Sequence, residues 1–140
     1  MDFYPNVSVQ VKNIKKYIEQ KKMQKILGFK DKHPFEKRLL ESQRIREKYP
    51  TRIPVICERY KQHDPEIDRN KFLIPQDLTI SNFSYIIRKR IQLTNEYSLF
   101  FFINGKTMPA SCELISDLYS RHADEDGFLY IIYSGETTFG

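Results

Sequence analysis

The stretch Phe128-Leu-Tyr-Ile-Ile-Tyr133, between Gly127 and Ser134-Gly135, decides the fold. A nearly continuous run of aromatic and branched residues bounded by turn formers predicts a strand that is buried on both faces.

The segment that follows, Glu136-Thr-Thr-Phe139, is predicted to be a flexible tail, and the sequence ends at Gly140. Because glycine has no side chain, its carboxylate can enter a narrow active site. Gly140 is therefore a candidate site of covalent attachment; the alternative is a chain that merely stops at a glycine.

The composition is that of a globular domain. Of the 140 residues, 40% are hydrophobic and 14% aromatic, which suits one domain with a sizeable core. No run approaches the ~20 apolar residues of a membrane-spanning helix, and the N-terminus lacks the apolar region of a signal peptide. The sequence thus predicts a cytoplasmic protein.

Residues able to carry chemistry form no recognisable motif. His33, His63 and His122 lie far apart, and Cys57 and Cys112 lack Cys-x-x-Cys spacing. No glycine-rich phosphate loop and no motif of nucleophilic catalysis is present. The sequence therefore predicts free thiols, no metal, no cofactor and no enzymatic activity.

The positive charge lies in the N-terminal segment. Residues 1–32 hold eight lysines and three acidic residues, a net charge of +5, so residues 33–140 hold 23 − 8 = 15 basic and 18 − 3 = 15 acidic residues. A basic segment favours an anionic partner such as acidic lipid, nucleic acid or an acidic protein segment, unless it is only a solvated helix face. The neutral remainder argues against a nucleic-acid surface, even around Arg88-Lys89-Arg90.

Two helices are predicted before the first strand. Apolar residues at helical spacing from Val7 onward predict a basic amphipathic helix to about Leu27, ended by Gly28. A second helix is predicted to begin at His33-Pro34, with the proline at the first helical position, and to end before Pro50.

The remaining pattern alternates strands and helices. Strands are predicted at 52–59 and 71–75, a helix from Thr79 through Gln92, a fully buried strand at 99–103 with a turn at Asn104-Gly105, and a short helix around 114–119. Asp124-Glu-Asp-Gly127 is interpreted as a charged turn before the last strand. This order predicts an α+β fold, a ubiquitin-like β-grasp with two N-terminal helices. The predicted division is a basic, partly helical extension at 1–32 and a ubiquitin-like domain at 33–140.

From Lys32 to Gly140 the sequence resembles the autophagy-related ubiquitin-like modifiers, the GABARAP and microtubule-associated light chain three group. The resemblance rests on a series of short motifs spread along the domain. They are His33-Pro-Phe-Glu-Lys-Arg38, Ile45-Arg-Glu-Lys-Tyr-Pro50, Arg52-Ile-Pro-Val-Ile56, Lys71-Phe-Leu-Ile-Pro75, Asp77-Leu-Thr79, Ile87-Arg-Lys-Arg-Ile91, Asp124-Glu-Asp-Gly-Phe-Leu-Tyr130 and Phe139-Gly140. The segment 106–112 lacks the double proline usual in the family, and residues 1–30 are longer than its first helix.

The resemblance implies a lipid-conjugated modifier. In this family an activating enzyme of the ubiquitin type and a conjugating enzyme join the terminal glycine, here Gly140, to phosphatidylethanolamine on autophagosomal or vesicle membranes. A cysteine protease removes residues that follow the glycine in most relatives and also reverses the conjugation. The alternative is an unconjugated adaptor in vesicle traffic or cytoskeleton binding.

The resemblance also implies a site for aromatic-x-x-aliphatic peptides of cargo receptors, formed by two hydrophobic pockets. The first pocket maps onto Glu41, Ile45, Pro54, Ile56, Lys71, Leu73 and Phe128, and the second onto Phe72, Ile74, Pro75, Leu78, Phe83, Ile86 and Arg90. Lys48, Arg52 and Lys71 can meet acidic residues of such a peptide. Tyr4-Pro-Asn-Val7 of the chain fits the same loose pattern, so the N-terminus of an otherwise monomeric protein could occupy its own groove or a neighbour's; the alternative is a chance match.

Overall fold

The computed structural model describes residues 11–16, 27–93 and 96–137. Its helices are α1 (11–16), α2 (Phe29–Lys32), α3 (Phe35–Lys48), α4 (Ile80–Ile91) and α5 (Ile115–His122). Its strands are β1 (Arg52–Arg59), β2 (Lys71–Pro75), β3 (Tyr97–Ile103) and β4 (Leu129–Thr137).

The four strands form one mixed sheet in the order β2-β1-β4-β3. β1 pairs antiparallel with β2 and parallel with β4, and β3 pairs antiparallel with β4. β4 therefore lies between two partners, and its residues from Leu129 to Ile131 are buried on both faces, as predicted. With α4 packed across the sheet, this is the predicted α+β architecture of a β-grasp.

One face of the sheet carries the main core. Ile53, Val55 and Cys57 of β1 alternate in direction with the residues between them and join Phe83 and Ile87 of α4 in a single buried cluster. Phe83 is fully buried, with its ring centroid 5.5 Å from that of Phe101 and 6.3 Å from that of Phe72. α5 packs beside it through Ile115 and Leu118.

The opposite face carries a smaller cluster under α2 and α3. Phe29 of α2 packs with Ile56, Phe128 and Tyr130, and Ile45 of α3 lies against them. The Phe29 and Phe128 rings meet edge to face with centroids 5.3 Å apart. The sheet is thus covered on both faces at its β1–β4 centre.

Local signals explain the helix ends. Thr79 accepts a hydrogen bond from the Asn82 N–H at 3.2 Å and so caps α4. At the other end, the C-cap residue Gln92 has a left-handed conformation. α3 ends at Lys48, two residues before Pro50, as predicted. Pro34 is the N-cap of α3 rather than its first residue, because its ψ of 157° is extended.

β3 differs from its prediction. The apolar run at 99–103 was expected to be fully buried, but β3 lies at the edge of the sheet and Phe100 is 40% exposed. A run with no polar alternation cannot reveal that one of its faces lacks a covering layer. The turn at Asn104-Gly105 is confirmed, since both residues have positive φ and the Lys106 N–H donates to the Ile103 carbonyl at 3.0 Å.

The segments at both ends also need correction. Glu136 and Thr137 were expected in a flexible tail, but they continue β4 by pairing with Ser98 and Tyr97. Gly28 is the N-cap of α2, a four-residue helix that was not predicted. Residues 11–16 are helical inside the predicted 7–27 helix, whose remaining residues are outside the described part except Leu27, which is not helical.

Other predictions concern the thiols and the membrane. Cys57 is buried and Cys112 is exposed, and both are free, as expected. Burial raises the pKa of the Cys57 thiol, which makes it a poor nucleophile. Within the described ranges no helix has the length and apolar character needed to cross a membrane.

Candidate peptide-binding groove and conjugation site

β2 is an edge strand, and its outer side is open to a binding partner from solution. It pairs with β1 alone among the described strands. Phe72 and Ile74 point into the main core, so Lys71 and Leu73 point to the α3 face by alternation. The outer edge of β2 therefore has one set of side chains on each face of the sheet.

A groove of about 720 Å³ follows this edge. We call it the edge groove. Its lining combines α3, β1, β2, α4 and the segment before β2: Ile45, Arg52, Arg69, Lys71, Phe72, Leu73, Ile74, Pro75 and Ile86. Eight of these nine residues belong to the peptide site that the sequence predicts, and the ninth, Arg69, was not predicted.

Most of the other predicted site residues lie under or beside the edge groove. Ile56, Phe83 and Phe128 are fully buried, and Pro54 is buried in β1, so these four form the support beneath the lining. Glu41 and Arg90 contact lining residues: Glu41 pairs with Lys71, and the Arg90 guanidinium lies 5.9 Å from the Phe72 ring centroid. Lys48, exposed at the end of α3, and Leu78, packed against the main core, are not among the lining residues. Arg69 lies in an irregular polar loop, which has no pattern that could have shown its position.

Ion pairs surround the edge groove. The Lys71 ammonium pairs with the Glu41 carboxylate, and Arg90 Nε donates to Asp68 Oδ1 at 2.9 Å. Arg52 Nη1 donates to the Leu73 carbonyl at 3.2 Å. Arg69 makes no ion pair with any described residue. Arginine and lysine at this edge provide donors for the carboxylates of an acidic peptide.

A buried acid fixes α3 against the sheet and thereby sets one wall of the edge groove. Asp126 is fully buried, and its Oδ2 accepts a hydrogen bond from Arg38 Nη1 at 2.5 Å and another from the Tyr130 hydroxyl. Its Oδ1 accepts from the Phe128 N–H at 2.9 Å. Burial, followed by the hydrogen bond to this carboxylate, raises the pKa of the Tyr130 phenol. The interpretation of 124–127 as an ordinary charged turn missed this role.

Close approach of backbone to α3 requires glycine in the same turn. Ser42 of α3 donates to the Asp126 carbonyl, and a Cβ on Gly127 would lie 2.3 Å from Ser42 Oγ. Gly127 also has a φ of +85°, which disfavours other residues. Ser42 and Gly127 therefore let the helix and the turn pack without a gap.

α2 is held by polar contacts of its first two residues. The Phe29 N–H donates to Glu58 Oε2 at 2.9 Å, and Lys30 Nζ donates to Asp124 Oδ1 at 2.6 Å. Burial raises the pKa of the Glu58 carboxyl, although the Phe29 N–H opposes the shift. Phe29, which the sequence places in the extension 1–32, is thus buried against the domain; the boundary at 32 stays a prediction.

The end of β4 is anchored by a buried loop acid. Asp64 is 2% exposed, and its carboxylate accepts from the N–H groups of Lys61 at 2.7 Å and Gly135 at 3.2 Å. A Cβ on Gly135 would lie 1.9 Å from the Tyr97 ring, so only glycine fits there. Gly140, the candidate attachment site, is outside the described residues, three positions after Thr137.

The described part of the chain forms no cluster of metal-binding side chains. No group of three or more His, Cys, Asp or Glu side chains comes together there in a way that could hold a metal ion. What the described residues do bring together is an open strand edge, apolar pockets and cations, an arrangement suited to binding an extended peptide.

The sequence profile described as "Autophagy protein Atg8 ubiquitin like" matches residues 37–140. Autophagy-related protein 8 of Pichia angusta is 56% identical over 113 residues, 80% of this chain and 90% of that protein. The Mycosarcoma maydis protein is 55% identical over 114 residues, 81% of this chain and 96% of that protein.

Solved structures agree with the sequence comparison. Trypanosoma brucei ATG8 has a TM-score of 0.74 at 46% identity, covering 83% of this chain and 100% of that one. Plasmodium falciparum Atg8, solved in complex with a Plasmodium falciparum Atg3 peptide, has a TM-score of 0.72 at 36% identity, covering 80% of this chain and 98% of that one. The chain therefore belongs to the Atg8 family of ubiquitin-like autophagy proteins.

Proposed function

We propose that this autophagy protein is a ubiquitin-like modifier, joined through Gly140 to phosphatidylethanolamine on autophagosomal membranes, where its edge groove binds aromatic-x-x-aliphatic peptides of cargo receptors and autophagy factors. The observation that carries the proposal is the edge strand β2, open along its outer side with an apolar surface on each face of the sheet. Before conjugation the protein would be cytoplasmic.

The spacing of the peptide motif follows from the geometry of this edge. In an extended strand, residues i and i+3 point to opposite faces. A peptide strand added beside β2 would therefore direct its aromatic residue to the α3 face, near Lys71 and Leu73, and its aliphatic residue to the α4 face, near Phe72 and Ile86. Main-chain hydrogen bonds to β2 would supply affinity that does not depend on the peptide sequence.

Cations at the rim support a preference for acidic peptides. Arg52, Arg69 and Lys71 line the edge groove, while Glu41 is paired with Lys71. A peptide carboxylate near Arg69 would meet a cation with no ion-pair partner among the described residues. The peptide complex of the Plasmodium falciparum relative lends further support to peptide binding.

The conjugation step needs little from the side chains of this chain. An activating enzyme would use ATP to convert the Gly140 carboxylate into an acyl adenylate, with release of pyrophosphate. A cysteine thiol of that enzyme would displace AMP to form a thioester, and a thiol of the conjugating enzyme would then take over the acyl group. The primary amine of phosphatidylethanolamine would attack the Gly140 carbonyl, form an amide, release the enzyme thiol and lose a proton. The three residues beyond Thr137 span at most about 10 Å, so the enzymes and a deconjugating cysteine protease must approach the end of β4 closely.

A crossed experiment tests both parts of the proposal. Wild type, Gly140→Ala and the double variant Lys71→Ala with Leu73→Ala would be titrated with an acidic Trp-x-x-Leu peptide. They would also be followed in cells for a lipid adduct by intact mass and gel mobility. The double variant should bind the peptide roughly 10- to 100-fold more weakly, which corresponds to a loss of about 1–3 kcal/mol.

Each variant controls for the other. Gly140→Ala should lose the lipid adduct and keep wild-type peptide affinity, because the edge groove is lined by residues of other elements, α3, β1, β2, α4 and the segment before β2. An undiminished adduct in Gly140→Ala would refute conjugation at this residue. Equal peptide affinity in a folded double variant would refute the groove, and peptide binding without any adduct in wild type would favour the unconjugated adaptor.

A further inference from the structure

The N-terminal segment contains the pattern that the edge groove would bind. Asp2-Phe-Tyr-Pro-Asn-Val7 places an aromatic residue, Tyr4, three positions before an aliphatic one, Val7, with an acid two positions before the aromatic. These residues are outside the described part of the structure and outside the matched family profile, which begins at residue 37. The pattern therefore lies outside the part of the chain that matches the family profile.

The extension joins the domain next to the edge groove. Leu27 lines a cleft of about 400 Å³ together with Arg69 and Asn70, and Arg69 also lines the edge groove beside Lys71. The chain thus enters the domain at the end of the groove where the aromatic residue of a peptide would bind.

The segment between Val7 and Leu27 is long enough for residues 4–7 to reach the edge groove. Nineteen residues, 8–26, separate Val7 from Leu27. The helical residues 11–16 contribute about 9 Å at 1.5 Å per residue, and the other 13 can span about 43 Å when extended. Because the attachment point is beside the groove, the linker can turn back without strain.

The charges are compatible with capture. Asp2 would come close to the cations at the rim, Arg52, Arg69 and Lys71. The lysines of the extension begin at Lys12, five residues after Val7, so none of them has to enter the groove. Val11 and Ile14 on α1 are exposed and are not needed for the contact.

We infer that residues 4–7 of this chain occupy its own edge groove, with Tyr4 on the α3 face near Leu73 and Val7 on the α4 face near Ile86. The inference rests on the proposed function of the groove as a peptide site. Tethering supplies an effective concentration of up to about 1 mM. Ligands that bind weakly cannot displace the bound N-terminus from the edge groove, whereas ligands that bind strongly can. The N-terminus therefore sets the affinity that a ligand needs in order to bind.

The size of the threshold follows from the fraction of open grooves. If the segment has a Kd of about one fifth of the effective concentration, one groove in roughly six is open, and an external peptide binds roughly sixfold more weakly than to a chain without the segment. A segment with a tighter Kd would raise this factor in proportion.

The test compares four full chains: wild type, the chain lacking residues 1–7, Tyr4→Ala and Phe3→Ala. The probe is the acidic Trp-x-x-Leu peptide, titrated by fluorescence anisotropy. The truncated chain and Tyr4→Ala should bind the probe roughly sixfold more tightly, whereas Phe3→Ala, an adjacent aromatic outside the motif, should match wild type. A synthetic peptide of residues 1–10 should bind the truncated chain and should not bind it once Leu73 is changed to Ala.

Three outcomes would overturn the inference in distinguishable ways. Equal affinity of all four chains for the probe would refute capture and leave the groove's proposed function intact. No binding of the probe to any chain would refute the groove itself. A dimer by light scattering that disappears in Tyr4→Ala would show exchange between copies rather than capture within one chain.

Discussion

The two faces of the sheet are held by different kinds of interaction. On the α4 face, Phe83, Ile87 and Leu118 fill a core of side chains with hardly any polar atoms. On the α3 face, the apolar cluster is small, and the Arg38–Asp126 pair supplies a buried polar connection from the helix to the turn before β4. The first face depends on shape and volume, while the second depends on satisfied hydrogen bonds.

This difference bears on the edge groove, because each face contributes one of its two sides. The α4 side rests on Phe72, whose ring meets that of Phe83. The α3 side rests on the position of α3, which Asp126 fixes through Arg38. Removing a buried side chain such as Phe83 should therefore disturb the α4 side of the groove. Removing the charge of Asp126 should disturb the α3 side.

The largest expected effect comes from Phe83→Ala, which removes the centre of the apolar face. Deleting a fully buried phenylalanine ring leaves a cavity between Phe72 and Phe101 and should lower the free energy of unfolding by about 4 kcal/mol. Denaturant unfolding measures the change. Tyr85→Ala, two residues along the same helix and 60% exposed, is the matched control and should stay within about 0.5 kcal/mol of wild type. Similar losses in both variants would contradict the assignment of the core to this face.

A smaller loss is expected from Asp126→Asn on the polar face. The amide keeps an acceptor for the Phe128 N–H but leaves Arg38, whose side chain is only 11% exposed, without its counter-charge. The free energy of unfolding should fall by about 3 kcal/mol. Adding Arg38→Met to Asp126→Asn should restore part of the loss, because the double variant contains no unpaired charge. Strictly additive losses would show that the pair is not coupled.

The smallest effect is expected from Lys30→Ala, and it should depend on pH. Burial opposes ionisation of Asp124, but the hydrogen bonds from Lys30 Nζ and the Asp126 N–H together with the Lys30 charge outweigh it, so the pKa of Asp124 is lowered. A lowered pKa stabilises the fold above the unfolded value of about 3.9 and loses this effect as pH falls through the folded value. The variant should be less stable by under about 1 kcal/mol at pH 7, and the difference from wild type should be smaller at pH 3, below the unfolded value.

Denaturant midpoints of both chains at the two pH values measure this contribution. Comparing the difference between the chains at each pH cancels the titration of the other carboxyl groups. A difference that grows toward acid would reverse the sign expected for Asp124.

The sequence predicted helices and strands that have a clear hydrophobic periodicity better than it predicted which parts of the fold pack against them. β1, β2 and α4 appear where the pattern placed them, since apolar spacing and Thr79 carry that information locally. α2 was missed because four residues give no period, and its stability comes from Glu58 and Asp124, which are distant in sequence. The exposure of Phe100 was missed because it depends on strand order.

The candidate site shows the same division. Leu73, Ile74 and Ile86 were predicted from a resemblance carried by short motifs, and the structure brings them together along one edge. Arg69 and the buried state of Asp126 had no signal in the sequence, because a charged residue in a loop or turn is usually solvated. Only contacts with groups far along the chain distinguish such residues from their exposed neighbours.

By itself the sequence determined the order of the strands and of the longer helices, the α+β class and the family resemblance, because these follow from local pattern and local motif, whereas attachment at Gly140 stays a prediction. The tertiary structure decided that β2 and β3 are the edges, that β4 continues to Thr137, and that Asp126 is buried beneath α3. The physical reason is that strand order and burial arise from pairing and packing between distant segments, and no local pattern records which partner each face will meet.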